Sequence, residues 1–154
     1  DTNQRQKNKP AERVIERLGA NLSGKTVAVW GLSFKPNTDD IREAPSLSLL
    51  EHIWSCGGSV RAFDPEAMAV CHELYGDRDD MTYVENKYDA LKGADCVVIC
   101  TEWKTFWSPD FEIIKDALKE PIVIDGRNLY DPKHLAAMGI EYYGIGRGLS
   151  VAHP

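Results

Sequence analysis

Residues 26–30 of the chain read Thr-Val-Ala-Val-Trp, an uninterrupted apolar and β-branched run that Gly24 and Gly31 enclose. A short run of this kind is typical of a strand that is buried on both faces of a sheet. Residues 96–100, Cys-Val-Val-Ile-Cys, form a second such run. The two runs predict a parallel sheet whose faces are both covered by helices.

Outward from these two strands, extended and helical patterns alternate along the chain. Further strands are predicted at residues 60–63, 81–84, 122–124 and 141–143. Helices are predicted at residues 46–56, after Asp64-Pro65, and at residues 87–91, 110–118 and 132–138. Because parallel neighbours need helical crossovers, we expect an α/β fold: a doubly wound, mainly parallel, Rossmann-like sheet with helices on both faces. A short amphipathic helix at residues 11–18, ended by Gly19, precedes it.

The composition is that of an ordinary globular protein. The 154 residues include 43% hydrophobic residues, and 18 Lys and Arg face 24 Asp and Glu, a net charge of −6. This balance argues against binding to nucleic acid or anionic membranes. No run approaches the ~20 apolar residues of a membrane span, so we expect a cytoplasmic protein. Residues 1–10 contain no hydrophobic residue and no initiator Met, which predicts either the continuation of an upstream segment or an artificial end.

The four cysteines form no metal or disulfide pattern. They contain no CxxC pair and have no His at zinc-finger spacing, and they lie at Cys56, Cys71, Cys96 and Cys100. We interpret them as reduced core residues in a reducing compartment, with reactive thiols as the alternative. The four His are scattered, and we expect no metal site.

The segment after the first strand is the first candidate site. Residues 31–42 exceed the two to six or so residues that usually join a strand to a helix, and such long loops often carry function. Lys35 can present a point charge to an anion, and Arg42 can grip a phosphate with two hydrogen bonds. Alternatively, both are surface charges paired with a neighbouring acid, Asp39, Asp40 or Glu43.

Two further strand exits carry unusual residues. Arg127 directly follows Gly126 after the strand at residues 122–124, where a small residue lets a ligand approach the backbone. The alternative is an ion pair between Arg127 and either Asp125 or Asp131. The exit at residues 101–107 contains three aromatic residues, which indicate either a lid or partner contact or simple packing.

Other motifs are weaker. A dinucleotide fingerprint needs GxGxxG after the first strand, and only Gly31 is present, so we predict no complete NAD site. Asp64 stands where a ribose-binding acid could lie, but Asp-Pro-Glu is typical of a helix N-cap. The glycine-rich residues 144–148 follow the last strand and have no helix pattern after them, so they are a weak signal.

Two long strings resemble a known family. Residues 31–46, GLSFKPNTDDIREAPS, and 125–132, DGRNLYDP, together with Asp64-Pro65 and Thr-Glu-Trp at 101–103, resemble the C-terminal, UDP-binding domain of the nucleotide-sugar dehydrogenases. This family includes the UDP-glucose, GDP-mannose and UDP-N-acetylmannosamine dehydrogenases. The resemblance covers residues 25–148, and the second string looks most like bacterial UDP-glucose 6-dehydrogenases.

The resemblance implies a function and a division of the chain. In the family, the whole enzyme oxidises the sugar C6 alcohol to a carboxylate with two NAD and one water, through a cysteine thiohemiacetal. By this resemblance, Phe34, Lys35 and Arg127 would bind the nucleotide-sugar, UDP-glucose for this branch, and Arg42 would reach an NAD phosphate across the cleft. Residues 25–154 would close the active site, and residues 1–24 would be the tail of a central linker and dimerisation helix, as in a homodimer.

The sequence also departs from the family pattern. The family nucleophile is a cysteine followed by Lys and Asp three and four residues later, and none of the four cysteines matches. We therefore predict no catalytic residue in this chain, an NAD held mainly by an absent N-terminal domain, and no turnover by the chain alone. The alternatives are a UDP-N-acetylmannosamine or GDP-mannose dehydrogenase domain, or a non-catalytic nucleotide-binding or partner-binding module. A response-receiver domain needs an acidic metal pocket after the first strand. It is disfavoured because Lys35 and Arg42 lie in that segment alongside the acidic residues.

Overall fold

The computed structural model describes the backbone of residues 2–144 and 151–152 and the side chains of residues 10–144. Its strands are β1 Thr26–Trp30, β2 Ser59–Phe63, β3 Met81–Tyr83, β4 Cys96–Ile99, β5 Ile122–Asp125, β6 Glu141–Gly144 and β7 Val151–Ala152. Its helices are α1 Thr2–Leu18, α2 Pro45–Ser55, α3 Met68–Tyr75, α4 Phe111–Ala117 and α5 Pro132–Ala137. Single 3₁₀ turns cover Asp89–Leu91 and Lys104–Phe106.

The strands form one sheet in the order β3-β2-β1-β4-β5-β6-β7. The first six in this order are mutually parallel, and β7 is antiparallel to β6. The predicted doubly wound α/β class is confirmed. The chain winds outward in one direction from β1 to β3 and in the other from β4 to β7, so the topological switch point lies between β1 and β4.

Hydrophobic side chains fill both faces of the sheet. Along β4 the residues alternate, so that Cys96, Val98 and Cys100 pack on one face and Val97 and Ile99 on the other. Helices α1, α2 and α3 cover the first face, and α4 and α5 cover the second. This burial on both faces explains why β1 and β4 are continuous apolar runs in the sequence.

The cysteines are free thiols within this core. Cys71, Cys96 and Cys100 are buried, and Cys56 is half-buried. Burial raises the pKa of Cys96 and of Cys100 to about 12 and raises the pKa of Cys71 as well. Because the thiolate is the reactive form, these three thiols are suited to packing and not to nucleophilic chemistry.

Helix α1 is longer than the sequence predicts. It spans 17 residues, because the polar residues before Ala11 continue the helix without contributing to the apolar stripe. Its buried residues Ala11 and Val14 join the core of the sheet domain. Arg17 anchors its end through Nε, which donates to Glu141 Oε2 at 2.5 Å. None of the helices within the described residues combines the length and apolar character that crossing a bilayer requires.

Two predicted helices differ in detail. Helix α3 begins at Met68 and not directly after Pro65, because residues 65–67 form a turn. The helix predicted at residues 87–91 is a single 3₁₀ turn that Gly93, with φ +75°, ends. Of the glycine-rich residues 144–148, only Gly144 is within the described residues, as the end of β6.

Candidate functional site

The long segments after β1, β4 and β5 leave the sheet at the same edge, since parallel strands end together. We call residues 31–44, 101–107 and 126–131 together the carboxyl edge. The three cations singled out in the sequence lie in these segments. Two buried carboxylates, Asp64 and Asp125, fix the backbone from which these cations project.

Asp64 holds the start of the first segment. Its Oδ2 accepts hydrogen bonds from the backbone N–H groups of Leu32 at 2.7 Å and Ser33 at 3.1 Å. The Trp103 indole N–H donates to the same oxygen at 3.1 Å. The other oxygen accepts from two backbone N–H groups of the turn before α3. Asp64 thus holds a turn, and the predicted helix N-cap is wrong, because α3 begins only at Met68 with Ala67 as its N-cap. Asp64 therefore joins three strand ends, a role the sequence pattern did not reveal.

Gly31 brings the ends of β1 and β4 together. It has φ +98°, and a Cβ atom there would lie 2.5–2.7 Å from Oγ1, Cβ and the backbone N of Thr101. The Thr101 hydroxyl in turn donates to the Ser33 carbonyl at 2.7 Å. Only glycine allows this approach. Thr101 consequently occupies the space directly beside Gly31 at the switch point.

This arrangement does not fit a dinucleotide cradle. In such a site, backbone N–H groups after the first strand bind the pyrophosphate. Here the N–H groups of Leu32 and Ser33 are directed to the Asp64 carboxylate, and Thr101 closes the switch point. An anionic pyrophosphate would meet a buried carboxylate at that position. The described residues after β1 therefore form no pyrophosphate cradle for the NAD that the family resemblance implies.

Phe34 and Lys35 project from the tip of the first segment. The Phe34 N–H donates to the Asp40 carbonyl at 2.8 Å and closes the segment into a compact turn. The Phe34 ring is exposed despite its size, with 52% of its surface accessible. Lys35 is exposed and forms no ion pair with any described residue. Both side chains are thus available to a ligand.

Arg42 forms an ion pair with Asp40, one of the pairings that the sequence left open. Its Nε and Nη2 donate to the two oxygens of Asp40 at 3.0 and 2.9 Å. The hydrogen bonds from Arg42 lower the pKa of Asp40 to about 2. The Arg42 side chain is nevertheless 87% exposed, so the pair lies in solvent. Water screens such a pair strongly, and an incoming anion can replace the carboxylate at little cost.

We expect the Arg42→Ala substitution to raise the pKa of Asp40 from about 2 toward its ordinary value of 3.8. The return should be partial, because the backbone N–H of residue 42 still donates to Asp40. Since the folded-state pKa is lowered, the pair's contribution is complete above pH ~4 and is lost as pH falls through about 2. NMR titration of the Asp40 carboxyl carbon measures this. Asp80, whose pKa Arg78 lowers, is the internal control and should titrate as in the parent.

Asp125 organises the segment that carries Arg127. One Asp125 oxygen accepts from the Arg127 backbone N–H at 2.9 Å, and the other from the Leu129 N–H at 2.6 Å and the Tyr142 hydroxyl at 2.8 Å. At Gly126, an added Cβ would lie 2.7 Å from the Ile99 carbonyl oxygen. The small residue predicted to aid ligand approach thus allows the loop to pack directly on β4.

The Arg127 side chain pairs with Glu102. Both Nε and Nη2 lie 2.7 Å from Glu102 Oε2. The two pairings given as alternatives in the sequence analysis are wrong, because Asp125 accepts from backbone groups and the Tyr142 hydroxyl and Asp131 caps α5. The Arg127 side chain remains 40% exposed, so its guanidinium is held at the surface of the carboxyl edge.

The three aromatic residues after β4 were predicted either to pack in the core or to form a lid or partner contact, and they differ in exposure. Trp103 and Phe106 are buried, and Phe106 stacks on Trp30 with ring centroids 5.0 Å apart. Trp107 is 52% exposed, so a lid or partner contact stays a prediction for this residue alone. Within the residues that the structure describes, no three metal-ligating side chains cluster.

The geometry defines a class of site. Exposed Lys35 and Arg127, with Arg42 farther along the first segment, present cations on loops that buried carboxylates hold rigid. A doubly wound domain that offers cations at its carboxyl edge, without a dinucleotide cradle, is suited to bind a phosphorylated ligand.

Comparison with known proteins specifies the family. Residues 28–132 match the model of the UDP binding domain of the UDP-glucose/GDP-mannose dehydrogenase family. The chain belongs to this family and represents its C-terminal domain. It is 46% identical over 148 residues to the UDP-glucose 6-dehydrogenase of Pseudomonas aeruginosa, covering 94% of this chain and 33% of the relative. It is 39% identical over 136 residues to UDP-glucose 6-dehydrogenase YwqF of Bacillus subtilis, covering 88% and 30%.

Solved structures agree with this assignment. A UDP-glucose dehydrogenase from Pyrobaculum islandicum matches with a TM-score of 0.69 at 32% identity, covering 82% of this chain and 27% of that one. A UDP-D-ManNAc dehydrogenase from Pyrococcus horikoshii matches with a TM-score of 0.72 at 29% identity, covering 94% and 32%. The chain spans about a third of the length of the curated relatives it matches.

Proposed function

We propose that this chain is the nucleotide-sugar-binding part of an NAD-dependent dehydrogenase that oxidises UDP-glucose to UDP-glucuronate. The observation that carries the proposal is the placement of Lys35 and Arg127 at one edge of the sheet, on the loops after β1 and β5 that flank the loop after β4, in a domain that matches a UDP-binding family model. The names of the similar proteins support UDP-glucose as the substrate.

The proposed binding follows from charge and exposure. A diphosphate carries about two negative charges, and Lys35 and Arg127 supply two compensating cations. Lys35 acts as a mobile point charge, whereas Arg127 is held in one orientation by Glu102. The exposed Phe34 ring supplies an apolar surface beside Lys35 that the nucleotide-sugar can cover. Ligand binding then removes this ring from water.

The chemistry is assigned to the whole protein, outside this chain. Oxidation of the C6 alcohol to a carboxylate removes two hydrides, which two NAD molecules accept, and adds the oxygen of one water. The nucleophile such a reaction uses is not among the buried thiols Cys71, Cys96 and Cys100, whose pKa values burial raises. This chain's residues therefore bind the nucleotide-sugar, orient it and exclude water from one side of the site.

We further propose the division of the chain given by the family resemblance. Residues 1–24 belong to a linker and dimerisation helix, and residues 25–154 form the nucleotide-sugar domain. The firm packing of α1 on this domain, through Val14 and the Arg17–Glu141 ion pair, suits a rigid connection to the rest of a homodimer. Free, buried thiols are compatible with a cytoplasmic location.

The test is turnover by the full-length protein. With UDP-glucose and NAD, we expect two NADH per UDP-glucose consumed, and none from this chain alone under the same conditions. UDP-N-acetylmannosamine and GDP-mannose are tested in parallel as competing substrates. The first is included because a solved UDP-D-ManNAc dehydrogenase is also similar to this chain. Preference for either competitor would overturn the assigned substrate, and nucleotide-sugar binding without oxidation would favour the non-catalytic module.

Arg42 has a separate expected role as a contact to an NAD phosphate held elsewhere. We expect Arg42→Ala in the full-length enzyme to raise the KM for NAD about 10-fold, the lower range for a charged hydrogen bond, and to leave the KM for UDP-glucose nearly unchanged. Steady-state kinetics with each substrate varied in turn measures both. Equal losses for the two substrates would instead show that the Arg42–Asp40 pair pins the loop that carries Lys35.

A further inference from the structure

Three consecutive residues after β4 contact both cation-bearing loops. Thr101 donates its hydroxyl to the Ser33 carbonyl at 2.7 Å, and the Trp103 indole donates to Ser33 Oγ at 3.2 Å. Between them, Glu102 accepts from Arg127 at 2.7 Å. Ser33 lies two residues before Lys35, so this short segment joins the Lys35 loop to the Arg127 guanidinium.

The Glu102 backbone is well fixed. Thr101 is 1% exposed and Trp103 8% exposed, so both neighbours of Glu102 are buried. The Trp107 indole also donates to the Glu102 carbonyl at 3.0 Å. On the opposite side, the Arg127 backbone is fixed by Asp125. The Glu102–Arg127 pair therefore connects two rigid segments, and the freedom it removes is mainly that of the long arginine side chain.

We propose that Glu102 is a positioning residue for nucleotide-sugar binding, which acts by holding the Arg127 guanidinium in the orientation that meets the diphosphate. Glu102 contacts the edge of the guanidinium formed by Nε and Nη2, and the other edge carries Nη1. An arginine held on one edge presents its second edge to a ligand without losing rotamer freedom on binding. This inference rests on the proposed function.

A purely electrostatic role predicts the opposite sign. If Glu102 only neutralised Arg127, its removal would leave an unpaired cation beside the diphosphate, and binding would tighten. If Glu102 positions Arg127, its removal lets the guanidinium move into water, and binding weakens although the site becomes more positive. The direction of the change therefore distinguishes the two roles.

The experiment measures the Kd of UDP-glucose for the full-length enzyme by isothermal titration calorimetry. We expect Glu102→Ala to weaken binding about three- to fivefold, the upper range for loss of a partly exposed ion pair. Glu102→Gln keeps an oxygen acceptor for Arg127 and should stay within about twofold of the parent. Glu73→Ala, an exposed carboxylate on α3, is the charge-matched control and should leave Kd unchanged.

A double-mutant cycle separates this inference from the proposed function. In an Arg127→Ala background, Glu102→Ala should cause no further loss, because its only route to the ligand has been removed. Tighter binding by Glu102→Ala, or an equal loss in both backgrounds, would overturn the positioning role. If Arg127→Ala itself binds normally while the enzyme still oxidises UDP-glucose, the assigned binding residue is wrong. If no nucleotide-sugar binds the parent enzyme, the proposed function fails.

Discussion

Replacing Asp64 with asparagine is expected to lower the free energy of unfolding by about 3–5 kcal/mol, a severe effect for a substitution that conserves shape. Asp64 is fully buried, and its two oxygens accept from donors on both sides. An asparagine has one carbonyl oxygen, so its NH₂ group must face either the Leu32 and Ser33 N–H groups or those of the turn before α3. Donors would then oppose donors in a fully buried site.

Asp110→Asn is the matched control for this prediction. Asp110 also accepts from two backbone N–H groups, those of Glu112 and Ile113, but at an exposed helix N-terminus. Because asparagine caps helices about as well as aspartate, we expect a change within about 0.5 kcal/mol. Urea denaturation of both variants measures the difference. Equal, small losses would mean that Asp64 does not hold the three strand ends together.

Replacing Gly31 with alanine is the second substitution with a large expected effect, about 3 kcal/mol. One part of the cost is backbone strain, since φ is +98°. The larger part is steric, because the new methyl group would lie within 2.7 Å of the Thr101 backbone N and side chain. Backbone atoms cannot rotate away, so β1 and β4 would separate at the switch point. The segment that joins Lys35 to Arg127 would shift with them.

Gly19→Ala separates these two costs. Gly19 has nearly the same φ, +97°, yet no atom of the residues that the structure describes lies within 4 Å of a Cβ built there. It should therefore show only the backbone cost, about 1 kcal/mol. Thermal and urea denaturation of the two variants give the comparison. If Gly31→Ala costs no more than Gly19→Ala, the close approach of Gly31 to Thr101 has no energetic consequence.

The sheet could be predicted from sequence because its strands are buried on both faces. Strand β1 occupies the predicted residues 26–30, and β5, predicted at 122–124, ends one residue later at Asp125. Continuous apolar runs between glycine and polar residues leave little choice of boundary. Helix α1 begins earlier than predicted. Its first residues are all polar, so they show no hydrophobic periodicity that would predict a helix.

The candidate site was predictable only in part. Its cations follow strands that the pattern identifies, so their placement at one edge follows from topology. Their partners do not, because Glu102 and Arg127 are 25 residues apart and join only when β4 and β5 pair. Asp64 shows the same limit: its local hydrogen bonds to the following turn are visible in Asp-Pro-Glu, whereas its bond to Trp103 spans 39 residues. The signal that could have revealed it is an acidic residue directly after β2, the strand beside β1.

The central claim is that Lys35 and Arg127 bind the nucleotide-sugar, and equilibrium binding of UDP-glucose to the full-length protein tests it most directly. We expect Lys35→Ala and Arg127→Ala each to raise Kd roughly 10- to 150-fold, the contribution of one charged hydrogen bond. Lys92→Ala, which removes an equal charge from an exposed lysine before β4, should leave Kd unchanged. Parent affinity in both Lys35→Ala and Arg127→Ala would contradict the account and make these residues ordinary surface charges.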